Sequence, residues 1–244
     1  MIGIDIGNTA IKLGVFNKNK LTEVYFLDKK EASAKSIKNL LSKINKRHPI
    51  LICSVVPKIN RLFFKLKRDI YFVEKDIKIP IKCFYDKSKV GPDRLLAAYA
   101  AKKIEDSVRL ILDFGTAITL DFLSKKGDYQ GGIILPGISS TLTTFKRCAL
   151  LPDRIEIKAI RKIVPQNTFE SINKGLQDGF SIMINGLIAK YRQKLKLSKS
   201  DKILITGGDF SLLKSRFEFD FRYKKHLVLQ GLFYLYQDFF GDDL

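Results

Sequence analysis

The sequence holds little that binds structural metal or closes disulfides. Its three cysteines, Cys53, Cys83 and Cys148, are odd in number and widely separated, and its two histidines, His48 and His226, lie far apart. No CxxC pair occurs. A disulfide framework or structural zinc site is therefore not expected, and the thiols read as reduced core or surface groups. No apolar run approaches the length of a membrane span. No basic-then-apolar signal segment opens the chain, because Asp5 and Lys12 interrupt a stretch that already reads as folded structure. A cytoplasmic protein with no membrane partner is expected. Low-complexity linkers are missing too. So are the GxxxxGKS/T phosphate loop, an ordered GxGxxG, the GxSxG elbow and the HExxH helix. Any nucleotide must be held by other turns.

What is present is a globular composition, with 45% hydrophobic and 28% charged residues in a chain of 244. That length fits one large domain or two modest ones, each able to bury a core. The formal net charge is +19. Residues 1–107 carry 23 Lys/Arg against 11 Asp/Glu, and residues 108–244 carry 21 against 14, so both halves are basic. The load is heaviest over 29–68. A basic field attracts polyanions. Here the lysines are dispersed along helix-like stretches with no RNP, zinc-finger or basic-arm pattern. They read as a solvated surface, and a nucleic-acid partner is not expected.

Two short segments carry most of the information, Asp5-Ile-Gly-Asn-Thr9 and Asp113-Phe-Gly-Thr-Ala117. Each ends an apolar run and precedes another strand-like stretch. An acid and a glycine turn between two strands can hold a metal-bound phosphate. Gly7-Asn8 is expected to take the positive φ of a tight hairpin and to expose successive N–H groups to an anion. Thr9 adds a hydroxyl, and Lys12 a mobile point charge for phosphate oxygens. Asp5 can hold Mg²⁺ directly or through water. The plain alternative is a hairpin turn with Asp5 capping backbone amides. Asp113 closes a nearly all-apolar strand, where an acid costs free energy unless it meets a cation or donors. Asp5 aligns with Asp113 and Gly7 with Gly115. A one-residue slip then brings Thr9 over Thr116, which is a divergent internal duplication.

Secondary-structure signals fit that reading. Strands are expected at 1–6, 10–16, 21–27, 50–56 and 70–74, with helices at 33–47 and 58–68. A helix begins near Pro92, a residue suited to the first helical turn. The pattern restarts with strands at 108–113, 117–123 and 129–135 and a helix at about 138–147. A long helix at 168–195, a strand at 202–206 and a last helix at 226–239 follow. This is an α/β chain of two halves, 1–107 and 108–244, with a hinge near 106–108. Gly91-Pro-Asp-Arg94 puts Asp93 in the first turn of a helix. There the dipole and Arg94 are expected to depress its pKa and keep it ionised. Arg94 can clamp a carboxylate or phosphate. From spacing alone, a helix-capping acid beside a surface arginine is the plainer reading. The glycine clusters Gly131-Gly-Ile-Ile-Leu-Pro-Gly137 and Thr206-Gly-Gly-Asp209 allow close backbone approach to a ligand.

The ordered set DIGNTAIK (5–12), GPDR (91–94), DFGTAIT (113–119), GGIILPG (131–137), NTFESINKG (167–175) and TGGD (206–209) resembles the type III pantothenate kinase family across nearly the whole chain. The resemblance implies two ribonuclease H-like domains of the acetate/sugar kinase–Hsp70–actin type, with a nucleotide cleft between them. It implies ATP-dependent phosphorylation of pantothenate, Mg²⁺, a monovalent cation such as K⁺ or NH₄⁺, and a homodimer. By the same resemblance Asp5, Ile6, Gly7, Asn8, Thr9, Ala10, Ile11 and Lys12 bind the ATP phosphates, with Asp5 near Mg²⁺. Asp93 is the proton acceptor. Gly91, Pro92, Asp93, Arg94, Tyr85 and Thr168 contact pantothenate. Asp113 coordinates the monovalent cation, and Thr116 touches ATP. The stretch from Tyr85 to Gly91 is one residue shorter than the family pattern. Two other readings remain open at this level. One is an idle member of the family serving as a nucleic-acid- or partner-binding regulator. The other is a kinase of the same fold acting on another small hydroxyl compound.

Overall fold

The architecture rests on a computed structural model that describes residues 1–42, 44, 48–145, 157–158, 160 and 162–241. Cys148 and the ends of the helices expected over 33–47 and 138–147 lie outside the described residues. By packing, the chain forms two compact units. The first comprises residues 1–106, 123–131 and 226–244; the second comprises 107–122 and 132–225. This division differs from the linear halves in two places. The last helix and the segment 123–131 pack with the first unit, because tertiary burial and not chain order decides membership.

In the first unit, β1 (Ile2–Ile6), β2 (Ala10–Asn17), β3 (Lys20–Asp28), β4 (Ile50–Ser54) and β5 (Ile70–Phe72) form one sheet in the order β3-β2-β1-β4-β5. β1 runs antiparallel to β2 and parallel to β4, with Asp5 opposite Lys12 on one side and Cys53 on the other. The central strands β1 and β4 are almost wholly buried, as their Ile-rich composition requires of strands covered on both faces. The unit adds α1 (Ala34–Ser42), α2 (Pro57–Asn60), α3 (Pro92–Ile104) and the chain-terminal helix (Leu227–Phe240). The helix expected over 58–68 stops after one turn and continues as i→i+3 turns that bury Phe63. Arg61 and Lys65, like charges one helical turn apart, work against a regular helix there.

The second unit repeats the plan. Here β6 (Val108–Phe114), β7 (Ala117–Leu123), β8 (Tyr129–Pro136), β9 (Lys202–Gly207) and β10 (Arg222–Tyr223) stand in the order β10-β9-β6-β7-β8. β6 is antiparallel to β7 and parallel to β9, and β9 is parallel to β10. Reversed, that order matches the first sheet strand for strand, which is the duplicated ribonuclease H-like topology. The helices here are α4 (Ile138–Phe145) and α5 (Thr168–Lys194), and the chain-terminal helix of the first unit is α6. No helix among the described residues is long and apolar enough to cross a membrane.

The duplication accounts for the slip noted in the sequence. Gly7 donates its N–H to the Ala10 carbonyl (3.0 Å), whereas Gly115 donates to Ala117 (3.1 Å). The first turn therefore contains one more residue than the second. Neither Gly7 nor Asn8 adopts positive φ, contrary to the expectation for that turn. The left-handed pair of a tight hairpin lies instead at Lys18 (φ 45°) and Asn19 (φ 64°), between β2 and β3.

Candidate active site

The side chains that carry charge chemistry in the first unit converge at the C-terminal end of β1. Asp5 is the last polar residue of that buried strand and keeps 8% of its surface exposed. Strand register sets Lys12 directly opposite, and its Nζ lies 3.6 Å from Asp5 Oδ2. Burial pushes the Asp5 carboxyl up to about 6; Lys12 opposes that rise, and the charge of Asp93 adds to it. A carboxylate so enclosed remains short of positive charge even with its lysine, and a divalent cation fits that deficit. Cys53, paired with Asp5 from the β4 side, is fully buried. Burial first, and then the surrounding carboxylates, push its thiol well up, so it is no nucleophile.

Ile6 and Ile11 are a register pair with buried side chains, so only their backbones face the turn. The Gly7 N–H is taken by Ala10, which leaves Asn8 and Thr9 as the exposed residues of the loop. The anion-binding concavity expected of successive N–H groups is thus narrower than residues 7–9 imply.

Asp93 sits in the first turn of α3, with Pro92 at the helix start and Gly91 as the N-cap. Its Oδ1 accepts the Arg94 N–H at 2.9 Å. A Cβ at position 91 would stand too close to that carboxylate oxygen, so a larger residue there would turn the Asp93 side chain away from this position. The Asp93 carboxyl is raised, not depressed as expected. Desolvation outweighs the Arg94 N–H, the Arg94 charge and Lys12, which all act to lower it. A raised carboxyl is the stronger base. Tyr85 and Arg94 belong to the same unit and both approach Tyr129, which no motif singled out.

Asp113, Thr116 and Thr168 belong to the second unit. Asp113, the penultimate residue of β6, is half-buried and in register with Thr119 and Thr206. Thr116 is exposed, and its carbonyl accepts the Gly137 N–H (3.1 Å) and the Ser140 hydroxyl. A Cβ at Gly137 would strike the Gly115 and Thr116 carbonyls, which explains the glycine after Pro136. Gly207, at φ +97°, presses on the Phe114 backbone in the same way. Asp209 accepts both the backbone N–H (3.2 Å) and the hydroxyl (2.9 Å) of Ser139 at the start of α4. Thr168 is the exposed first residue of α5, capped by the Asn167 side chain. Groups of three or more metal-ligating side chains are absent among the described residues. The unit also has a groove of about 460 Å³ between α4 and α5, lined by Phe145, Leu176 and Phe180 among others. Its apolar walls do not suit a phosphate.

Two matching sheets, each with an acid and a glycine turn near the end of its first strand, define the acetate/sugar kinase–Hsp70–actin fold class. The model of the family described as type III pantothenate kinase matches residues 1–190. The type III pantothenate kinase of Persephonella marina is 32% identical over 255 residues, spanning 97% of this chain and 98% of that one. That of a Sulfurihydrogenibium species is 30% identical over 256 residues, spanning 96% and 98%. The chain belongs to the type III pantothenate kinase family. Among solved structures, a Campylobacter jejuni protein assigned to a Baf family of transcriptional activators superposes with a TM-score of 0.62 at 22% identity, covering 98% of both chains. The activator of 2-hydroxyisocaproyl-CoA dehydratase from Clostridium difficile, solved with bound ADPNP, superposes at 0.56 and 9% identity, covering 98% of this chain and 94% of that one. At those identities the likeness is one of fold.

Proposed function

We propose that this chain transfers the γ-phosphoryl group of ATP to the primary hydroxyl of pantothenate, giving 4′-phosphopantothenate and ADP, the first step toward coenzyme A. What carries the reading is the meeting of a half-buried, raised Asp93 with Lys12 and Asp5 in one unit of a chain belonging to this family. The pantothenate hydroxyl oxygen attacks the γ-phosphorus, the bond to the β–γ bridging oxygen breaks, and ADP departs. The hydroxyl proton passes to a carboxylate oxygen of Asp93. Its raised basicity suits that late transfer, since phosphoryl transfer demands positioning more than early deprotonation. Asn8, Thr9 and Lys12, with the backbone of Ile6, Gly7, Ala10 and Ile11, take the ATP phosphates, and Thr116 also contacts ATP. Gly91, Pro92, Arg94, Tyr85 and Thr168 receive pantothenate, with the Arg94 guanidinium suited to its carboxylate.

Asp5 is the residue that would hold Mg²⁺, in keeping with that ion's habit of using one or two carboxylates together with substrate phosphates. Bound there, it would neutralise charge on the transferring phosphoryl group. Asp113, a half-buried carboxylate, would hold K⁺ or NH₄⁺. A homodimer and a cytoplasmic location complete the reading. Coupled detection of ADP, with pantothenate and a panel of sugars as acceptors, tests the assignment. Phosphate transfer to a sugar in place of pantothenate would overturn it.

A further inference from the structure

Tyr129 is absent from every motif that marks this chain as a kinase, yet it is fully buried beside the residues read as substrate contacts. Three independent observations converge on it. First, the Arg94 guanidinium carbon lies 5.8 Å from the centre of the Tyr129 ring, within reach of a cation–π contact. Second, the Tyr85 ring packs on the same side chain, with centroids 6.1 Å apart and planes inclined by 51°. Third, the Tyr129 backbone fixes the segment that carries Tyr85. The Phe84 N–H donates to the Tyr129 carbonyl at 3.0 Å, and the Tyr129 N–H donates to the Lys82 carbonyl at 2.9 Å. That pair of bonds forms a parallel bridge between Cys83 and Tyr129.

Two residues on, Gly131 adopts φ +129°, and a Cβ there would stand 3.5 Å from Tyr85 Cε1. The open side of Gly131 therefore faces the Tyr85 ring. Tyr85 itself is 43% exposed. An exposed aromatic and a flexible arginine hold a small acid well only if something buried fixes both of them.

We infer that Tyr129 is a positioning residue of the acid-substrate site. Its face sets the plane of the Arg94 guanidinium, and its ring and backbone, with Gly131, set Tyr85. The inference rests on the reading that Arg94 and Tyr85 meet pantothenate. It adds the residue that determines where those two contacts stand, and hence how the site selects a carboxylate-bearing acceptor. Tyr129 touches no reacting atom in this account. Its effect falls on acceptor affinity and not on the phosphoryl donor.

The test is steady-state kinetics with purified full-length protein and Mg²⁺, varying pantothenate and ATP separately, in Tyr129→Leu, Tyr129→Phe, Arg94→Ala and Tyr85→Ala. Tyr129→Leu is expected to raise KM for pantothenate about tenfold, with KM for ATP within about twofold of the parent. Tyr129→Phe keeps the ring and is expected to stay within about threefold on both. A merely structural role would lower kcat through loss of folded protein, or raise both KM values together, and either result overturns the inference. If Arg94→Ala raises the pantothenate KM while Tyr129→Leu leaves it unchanged, the inference fails and the substrate-site reading stands. If Arg94→Ala and Tyr85→Ala both leave it unchanged, the reading beneath it fails as well. Gly131→Ala is the second variant should Tyr129→Leu not fold. It keeps the Tyr129 ring, strains the backbone at φ +129° beside Tyr85 and predicts the same rise in pantothenate KM alone, and an unmoved pantothenate KM in that variant also overturns the inference.

Discussion

Lys12 faces Asp5 across the first hairpin, Nζ to Oδ2 at 3.6 Å, because antiparallel register makes the two residues direct partners. One backbone pairing thus fixes a cation and an anion where the proposed phosphate and metal binding would need both. Lys12→Met removes the cation while keeping the apolar stem. KM for ATP is expected to rise about tenfold or more, the scale of a lost charge-assisted contact, with KM for pantothenate little changed. Separate saturation curves for the two substrates check this.

Asp5 links the site to stability. Its carboxyl sits near 6 in the folded chain against an ordinary 3.8, so folding takes up a proton. The contribution of this group is whole below about pH 4 and is lost as pH rises through about 6. The shift of roughly two units corresponds to at most ~3 kcal/mol. Asp5→Asn is therefore expected to be more stable than the parent at about pH 8, with the gap closing toward about pH 4, and to be inactive. Urea denaturation at several pH values in metal-free buffer measures the gap.

Asp93 predicts a pH dependence of rate. Desolvation raises its carboxyl, so the acid limb of kcat/KM is expected above the usual carboxylate range, with activity falling as pH drops through it. Asp93→Asn is expected to lose about 10²–10⁴-fold in kcat and the acid limb together, with folding retained. The pH–rate profile of the parent and residual turnover of the variant give both results.

Asp238 on α6 accepts the Tyr99 hydroxyl and pairs with Lys103 at 2.7 Å, tying the last helix to α3, the helix whose first turn holds Asp93. Asp238→Ala leaves the buried Tyr99 hydroxyl without this acceptor. A loss of about 1–3 kcal/mol is expected, most of it from Tyr99, since Lys103 is partly solvated. The midpoint of chemical denaturation reads it.

Gly207 predicts backbone strain in the second unit. At φ +97° an added Cβ would strike the Phe114 backbone. Gly207→Ala is expected to cost at least ~1–3 kcal/mol from the backbone conformation alone, with the steric collision adding to it. Thermal melting of that variant against Gly208→Ala, where a Cβ meets nothing within 4 Å, isolates the effect.

Much of this was legible before any coordinates. Apolar runs punctuated by glycine mark nearly every strand, because the central strands of both sheets are buried and rich in Ile and Leu. The Asp5 and Asp113 strand ends were legible for the same reason, as single acids in apolar surroundings. Three features were not. The pKa direction of Asp93 depends on how deeply α3 is buried, which no local pattern encodes. The loop at Gly7 keeps ordinary φ because its N–H closes on Ala10, and glycine content alone cannot distinguish that from a left-handed turn. Tyr129 stayed hidden because its partners, Tyr85 and Arg94, lie 44 and 35 positions earlier. Their meeting is created by a chain segment that leaves the second half and packs with the first. An aromatic starting a strand before Gly131-Gly132 gives no hint of that.

The central claim is that Asp93 serves phosphoryl transfer from ATP to pantothenate. The most direct measurement follows ADP and phosphorylated pantothenate together by mass spectrometry, with the purified parent and Asp93→Asn, in Mg²⁺ and K⁺. Equimolar products are expected from the parent and almost none from a folded Asp93→Asn. Folded parent protein that forms no phosphorylated pantothenate, or an Asp93→Asn variant that turns over at the parent's rate, would contradict it.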